Sequence, residues 1–191
     1  MAQTPSTMLD LDTSAPDFTL PEPLTGNQVS LSDQQGKPLL VVFSCNHCPY
    51  VLHIIDSFVG LANAARRRGF AVVMINSNDV TGYPQDDPLK MAEFARDHGF
   101  EFPYLYDESQ QIATAYQAAC TPDFFLFDAA HRLVYRGQYD GSRPGNQEPV
   151  DGADLQAAVD AVLAGDAVTD AQIPSVGCNI KWRADNQPVY G

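Results

Sequence analysis

Two cysteines three positions apart, Cys45 and Cys48, are the residues of this sequence best suited to chemistry. They lie in the segment 43–50, which reads FSCNHCPY, between an apolar run and a stretch with helical spacing. The thiolate is the reactive form of cysteine, and unpaired N–H groups at a helix start favour an anion there. His47 can also donate a hydrogen bond to a thiolate. The spacing therefore predicts thiol redox chemistry.

The same pair could instead bind a metal ion. A structural zinc site uses four ligands, and the sequence has no second Cys-x-x-Cys pair to complete one. A distorted site could draw on His47, His53 or Cys120. We predict redox chemistry with no metal and no cofactor, and a metal-binding carrier or a redox-regulated binding protein remains an alternative.

Composition limits the classes of function. A length of 191 residues suits one domain with a substantial core. The formal net charge of −13 argues against a nucleic-acid partner, because a phosphate backbone requires a basic surface. The first twelve residues lack the basic start and apolar run of a secretory signal, and no apolar run is long enough to span a bilayer. We expect a cytoplasmic protein with no membrane partner.

Hydrophobic periodicity predicts an α/β fold with a mixed central sheet flanked by helices. Buried strands at 39–43 and 70–75 are joined by a helix and should be parallel. The elements expected around them are an N-terminal β-hairpin within 15–31, a helix from 88, an extended segment at 102–106, a short helix within 112–119, an antiparallel hairpin of 124–127 and 133–136, and a helix around 155–162. A polar loop is expected at 76–88, and the fold is expected to carry a central insertion. We divide the chain into an N-terminal arm (1–14), a main domain (15–165) and a C-terminal tail (166–191) that packs on the domain.

Three motifs resemble the thioredoxin superfamily. Cys45-Asn46-His47-Cys48 after a buried strand is similar to its active site, and Cys120-Thr121-Pro122 resembles its cis-proline loop. The opening segment 15–20, APDFTL, resembles the AhpC/TSA branch, which holds peroxiredoxins and TlpA-like proteins. Segments 75–79 and 177–182 resemble the peroxiredoxin-like proteins of that branch that carry a Cys-x-x-Cys motif.

The resemblance implies a thioredoxin fold and a thiol–disulfide oxidoreductase. Cys45 is expected to attack a substrate disulfide and Cys48 to resolve the mixed disulfide. His47 would stabilise the Cys45 thiolate and make the disulfide a better oxidant. Pro122 would hold the substrate backbone beside Cys45.

Three further residues join the expected site. Thr121 and Asn46 are candidates for substrate binding because they flank the reacting groups. Cys120 could act as an extra thiol, although cysteine also packs readily as a small buried hydrophobe. Cys178 could fold back as a resolving thiol, but a bystander thiol is the favoured interpretation.

The alternative enzyme is a thiol peroxidase with an antioxidant role in cell redox homeostasis. Peroxiredoxins place a threonine three residues before the reacting cysteine and an arginine near the proline loop. Here Cys45 occupies the threonine position and Pro122 falls near the arginine position, so two peroxide-activating groups are missing. The expected partners are a protein or small-molecule disulfide, or a peroxide, together with a thiol reductant system.

Overall fold

The computed structural model describes residues 3–190, within which the chain forms ten β-strands and four α-helices. In chain order these are β1 (Gln3–Pro5), β2 (Thr19–Pro21), β3 (Gln28–Ser30), β4 (Leu39–Phe43), α1 (Pro49–Arg67), β5 (Ala71–Asn76), α2 (Pro88–Asp97), β6 (Tyr104–Tyr106), α3 (Gln111–Ala115), β7 (Cys120–Thr121), β8 (Asp123–Phe127), β9 (Leu133–Tyr135), α4 (Ala153–Ala164) and β10 (Val176–Asn179). Short 3-10 turns occupy Leu31–Gln34 and Pro84–Asp86. Over this range no helix has the length and apolar character needed to cross a membrane.

A five-stranded mixed sheet forms the centre of the fold, in the order β6-β5-β4-β8-β9. Strands β4, β5 and β6 are parallel, whereas β8 and β9 run antiparallel to their neighbours. Strands β2 and β3 pair as a separate N-terminal hairpin. The predicted mixed sheet and both predicted hairpins are confirmed.

Strand β4 is buried on both faces, as its continuous apolar sequence predicts. Side chains alternate between the faces of a strand. Leu40 and Val42 therefore join the core cluster that includes α1, and Leu39 and Val41 join a second cluster on the other face. The end of β4 is thus fixed from both sides immediately before the Cys-x-x-Cys segment.

Helix α1 begins directly after Cys48, which is its N-cap residue. Pro49 takes the first helical position, where the missing N–H of proline has no intrahelical partner to lose. Val51, Ile54 and Phe58 recur at helical spacing and are buried against the sheet. The helix start is therefore held in place over the carboxyl end of β4.

A second, three-stranded sheet in the order β1-β10-β7 was not predicted. Both of its pairings are antiparallel, and Cys178 in β10 lies opposite Thr121 in β7 and opposite Gln3 in β1. The arm and the tail each contribute one strand to this sheet. The three-part division of the chain stays a prediction, and the two ends meet beside the cysteines.

Candidate active site

Strand β7 and the start of α1 bring the candidate residues together. Cys45 and Cys48 are 1% and 0% exposed. Thr121 lies against both, with Oγ1 3.6 Å from Cys45 Sγ and its carbonyl oxygen 3.1 Å from Cys48 Sγ. The Thr121–Pro122 peptide bond is cis, as the resemblance implied. The site is therefore a closed cluster of sulfurs and backbone groups.

Cys48 lies beside two other thiols, the Thr121 carbonyl that accepts from its Sγ, and the first turn of α1. A hydrogen bond from Cys45 is the largest influence lowering the pKa of Cys48. Hydrogen bonds with Cys178 and with the Val51 N–H, in the first turn of α1, lower it further. Burial acts in the opposite direction, because it disfavours a charge, whereas the Thr121 side chain also lowers the pKa. The hydrogen bonds outweigh burial, so the pKa of Cys48 falls to about 5.

Cys45 behaves in the opposite way. Its hydrogen bond to Cys48 is the largest of the influences that raise the pKa of Cys45, followed by burial and the nearby negative charge of Asp86. The two effects belong together, since one shared hydrogen bond keeps the proton on Cys45 and the negative charge on Cys48. In the reduced site, Cys48 is therefore the more acidic of the two thiols.

Asp86 organises the loop between the two cysteines, and sequence reasoning missed it. Its carboxylate is fully buried and accepts hydrogen bonds from the Asn46 N–H at 2.8 Å and from Asn78 Nδ2 at 2.7 Å. His47 Nδ1 lies 2.9 Å from Asp86 Oδ2, the oxygen that also accepts from Asn78. The only signal in the sequence was the polar loop after β5, since ligands and polar groups gather at the carboxyl ends of parallel strands.

His47 contacts Asp86 and Tyr83, and one of its ring nitrogens also lies within 4.8 Å of Cys45 Sγ. Its ring stacks on Tyr83 with centroids 5.6 Å apart and an interplanar angle of 9°. The pKa of Cys45 is raised by its hydrogen bond with Cys48, by burial and by the charge of Asp86. A role for His47 in the reaction stays a prediction.

Asn46, Thr121 and Pro122, the predicted substrate-binding residues, also lie at the site, where each already has partners within the protein. Asn46 is held on three sides: by Asp86, by the Gln85 carbonyl that accepts from its Nδ2 at 2.9 Å, and by the Tyr104 hydroxyl that donates to its Oδ1 at 3.0 Å. The β7 edge at Thr121 is already paired with β10. Binding of a substrate backbone at Thr121 or Pro122 therefore requires β10 to move. The substrate-binding roles of these residues stay predictions.

Cys120 is a buried thiol with a different environment. Burial is the largest influence raising the pKa of Cys120, and the charge of Asp123 adds to it. Its Sγ donates to the Pro122 carbonyl at 3.5 Å. This setting suits a packed hydrophobe, and a role as an extra thiol stays a prediction.

Cys178, by contrast, enters the site directly. Its Sγ is 2.9 Å from Cys48 Sγ, although 130 positions separate the two residues in the chain. All four cysteines are buried and unbridged. The signal in the sequence was the Gly-Cys pair at 177–178, whose meaning depends on a strand partner that periodicity does not reveal.

One group of side chains in residues 3–190 could hold a metal ion. Cys45, His47 and Asp86 place one ligand atom each within 4.8 Å of one another. This set differs from the alternative expected from the sequence, since it uses Asp86 and neither His53 nor Cys120. Both Asp86 oxygens already accept hydrogen bonds, and three ligands fall short of the four of a structural zinc site. The set suits a hydrogen-bonded network at least as well as a metal.

Comparison with known proteins agrees with this reading. Residues 11–136 match the model of the AhpC/TSA family. A solved structure of an uncharacterised conserved protein from Geobacillus kaustophilus is 47% identical, with a TM-score of 0.94, and covers 96% of this chain and 98% of that chain. Solved thioredoxin-like structures at lower identity also superpose on this chain, with lower TM-scores of 0.59 and 0.62, and show the thioredoxin fold.

Two further relatives carry functional names. The thiol-disulfide oxidoreductase ResA of Geobacillus kaustophilus is 28% identical over 125 residues, which are 65% of this chain and 67% of that protein. A Mycobacterium tuberculosis protein with a provisional peroxiredoxin name is 32% identical over 117 residues, which are 60% of this chain and 68% of that protein. Both names describe oxidoreductases.

Proposed function

This chain belongs to the AhpC/TSA family, and we propose that it is a thiol–disulfide oxidoreductase that works through Cys45 and Cys48. One observation carries the proposal: the two thiols share a hydrogen bond at the start of α1, and this bond lowers the pKa of Cys48 while raising that of Cys45. A thiolate beside a second thiol is the arrangement that thiol–disulfide exchange requires.

In the first step the Cys48 thiolate attacks one sulfur of a substrate disulfide. A bond forms between Cys48 Sγ and that sulfur, the substrate S–S bond breaks, and the departing substrate sulfur leaves as a thiolate and takes a proton. This order exchanges the roles expected from the sequence, because the hydrogen bonds to Cys48 make it the more acidic thiol.

In the second step Cys45 resolves the mixed disulfide. The Cys48 charge that held the proton on Cys45 is consumed in the first step, so the largest influence raising the pKa of Cys45 is removed. Cys45 then attacks Cys48 Sγ, the substrate sulfur leaves with the electron pair and a proton, and a Cys45–Cys48 disulfide remains. The reverse sequence oxidises a substrate dithiol.

A peroxidase is the second candidate, and the burial of both sulfurs favours it. A protein disulfide cannot reach sulfurs that are 1% and 0% exposed without movement of the cover, whereas a peroxide is small. The Cys48 thiolate would cleave the O–O bond and become a sulfenic acid, releasing water or an alcohol. A neighbouring thiol would then condense with it to form a disulfide and water. A thiol reductant system would complete either cycle.

The test compares disulfide and peroxide turnover in four proteins: the wild type, Cys45→Ser, Cys48→Ser and, as a matched control, Cys120→Ser. Each protein is incubated with hydroxyethyl disulfide or hydrogen peroxide and a thiol donor, and its disulfides are mapped by mass spectrometry. We expect wild type and Cys120→Ser to form the Cys45–Cys48 disulfide and to turn over. Disulfide turnover that survives in Cys48→Ser would overturn the proposal, and faster turnover of peroxide than of disulfide would favour the peroxidase.

The proposal also includes a cytoplasmic location for this chemistry. A cytoplasmic protein would keep its dithiol reduced by a thiol reductant system, and an antioxidant role would follow if peroxide is the preferred oxidant. Fractionation of cells that produce the protein, followed by thiol trapping, tests both points.

A further inference from the structure

We propose that Cys178 is a third redox-active thiol, which forms a disulfide with Cys48 as an alternative to the Cys45–Cys48 disulfide. The inference rests on the proposed function, because it assigns a further residue to the same exchange reaction. Cys48 would then be the sulfur that both disulfides share.

Distance is the first support for this assignment. The Sγ atoms of Cys48 and Cys178 are 2.9 Å apart, and both thiols are buried. A disulfide bond is about 2.05 Å long, so the two sulfurs need to approach by less than about 1 Å.

The backbone of β10 holds Cys178 in this position. Cys178 lies on the central strand of the second sheet, paired with Thr121 on one side and Gln3 on the other. Gly177 permits the close approach, because a Cβ atom at this position would lie 2.0 Å from the Thr121 carbonyl oxygen. Only a residue without a side chain allows β10 to come so near to β7.

The tail is fixed on both sides of Cys178. Before it, the Ser175 hydroxyl donates to the Pro122 carbonyl at 2.6 Å. After it, the Lys181 N–H donates to Asn78 Oδ1 and the Asp79 N–H donates to the Lys181 carbonyl, each at 2.8 Å. Asn78 also donates to Asp86, so the tail is connected to the loop between Cys45 and Cys48. These hydrogen bonds therefore hold Cys178 in a fixed position at the site.

The exchange balances without an external oxidant. Cys178 attacks Cys48 Sγ of the Cys45–Cys48 disulfide, a Cys48–Cys178 bond forms, and the Cys45–Cys48 bond breaks. The electron pair goes to Cys45 Sγ, which takes up the proton that Cys178 gives up. The same attack on a mixed disulfide at Cys48 would release the substrate thiol without Cys45. Burial is the largest influence raising the pKa of Cys178 to about 12, followed by the hydrogen bond and the charge of the reduced Cys48. The Cys48 influences are lost once Cys48 is in a disulfide, and the positive charge of Lys181 lowers the pKa of Cys178.

Cys120 shows why burial alone does not make this assignment. It is also a buried thiol beside the Thr121–Pro122 peptide, but its Sγ contacts the Pro122 carbonyl. Cys178 instead contacts the sulfur of the most acidic cysteine of the site. Cys120 is therefore a suitable control thiol.

The test follows the fate of a mixed disulfide on Cys48. Reduced Cys45→Ser, Cys45→Ser/Cys178→Ser and Cys45→Ser/Cys120→Ser proteins are mixed with hydroxyethyl disulfide, quenched in acid, alkylated and peptide-mapped. We expect a Cys48–Cys178 disulfide in Cys45→Ser and in the variant that lacks Cys120. The variant that lacks Cys178 should accumulate the Cys48 mixed disulfide at least tenfold over Cys45→Ser.

Equal accumulation of the mixed disulfide in all three variants would overturn the inference but leave the proposed function intact. No mixed disulfide at Cys48 in any variant would count against the proposed function itself. Mapping of wild-type protein in a glutathione redox buffer needs no substitution. There the inference requires a Cys48–Cys178 peptide alongside the Cys45–Cys48 peptide, and its absence at every buffer ratio would contradict it.

Discussion

Two buried cysteines contact the Thr121–Pro122 segment, Cys48 at the Thr121 carbonyl and Cys120 at the Pro122 carbonyl, and their surroundings shift their pKa values in opposite directions. Cys48 is at the start of α1, where hydrogen bonds lower its pKa. Cys120 is in β7, where burial and the charge of Asp123 raise its pKa. Since both thiols are fully buried, the hydrogen bonds and charges around each sulfur, and not its exposure, account for the difference in pKa.

The largest difference is expected between two variants in which either Cys48 or Cys120 is replaced by serine. Cys48→Ser should reduce disulfide turnover by about a thousandfold or more, because a serine hydroxyl is not ionised near neutral pH. Cys120→Ser should stay within about twofold of wild type. The measurement is the initial rate of hydroxyethyl disulfide reduction with a coupled reductant. Similar losses of rate in both variants would contradict the proposed difference between Cys48 and Cys120.

A pH-dependent effect is expected on the Cys120 side. Burial raises the pKa of Asp123 from 3.8 to about 7, so between these values the folded state keeps a proton that the unfolded state loses. Stability should therefore fall as pH rises, by about 1.4 kcal/mol per pH unit at most. Asp123→Asn should remove this slope, while its amide oxygen can still accept from the Ala119 N–H.

Urea unfolding at pH 4, 5.5, 7 and 8 measures the slope for wild type and Asp123→Asn. The exposed carboxylate variant Asp166→Asn serves as the control and should keep the wild-type slope. A wild-type slope that persists in Asp123→Asn would show that another group causes it.

Gly177→Ala should disturb the Cys48 side through the tail. The added methyl group would lie 2.0 Å from the Thr121 carbonyl oxygen, so β10 must shift away from β7. We expect a loss of about 3 kcal/mol in the free energy of unfolding. Denaturant unfolding measures it, with Gly60→Ala as the matched control, because a Cβ atom on this exposed α1 glycine meets nothing within 4 Å.

The control should gain about 0.5–1 kcal/mol, since alanine is the better helix former. A Gly177→Ala protein as stable as wild type would mean that β10 is not tightly paired with β7. Cys178 would then have no fixed place beside Cys48.

Asp86→Asn tests the loop between the two cysteines. It removes a negative charge that raises the pKa of Cys45 and weakens the hydrogen bonds from Asn46 and Asn78. We expect the pKa of Cys45 to fall and the free energy of unfolding to drop by about 2 kcal/mol. Alkylation of Cys45 against pH, followed by peptide mapping, and denaturant unfolding provide the two measurements.

The neighbouring variant Asp87→Asn is the control for this change. Asp87 caps α2, and asparagine is an equally good cap, so stability should change by less than about 0.5 kcal/mol. An unchanged pKa of Cys45 in Asp86→Asn would show that Asp86 does not act on the site electrostatically.

The elements that carry local patterns were predictable from the sequence. β4 has a continuous apolar run, α1 has helical spacing after a proline, and both positions of the Cys-x-x-Cys pair follow from them. Strands β7 and β10 are two and four residues long, and each exists because of a partner more than fifty positions away. No local periodicity marks such strands, so a contact of Cys178 with the site was only the less favoured alternative to a bystander thiol.

The difference in pKa between Cys45 and Cys48 could also not be predicted from local sequence patterns. The motif indicated that the start of a helix would favour a thiolate, but it did not indicate which cysteine would hold the charge. That choice depends on Asp86 and Cys178, which approach the pair from a distant loop and from the tail. Sequence spacing identified the two cysteines, whereas tertiary contacts determine which of them has the lower pKa.

The most direct test of this account is the thiolate absorbance near 240 nm as a function of pH. Wild type and Cys120→Ser should show one absorbance step below neutral pH, because the hydrogen bonds to Cys48 lower its pKa. The step should be missing in Cys48→Ser. A step that persists in Cys48→Ser, or that disappears in Cys120→Ser, would contradict the assignment of the thiolate to Cys48.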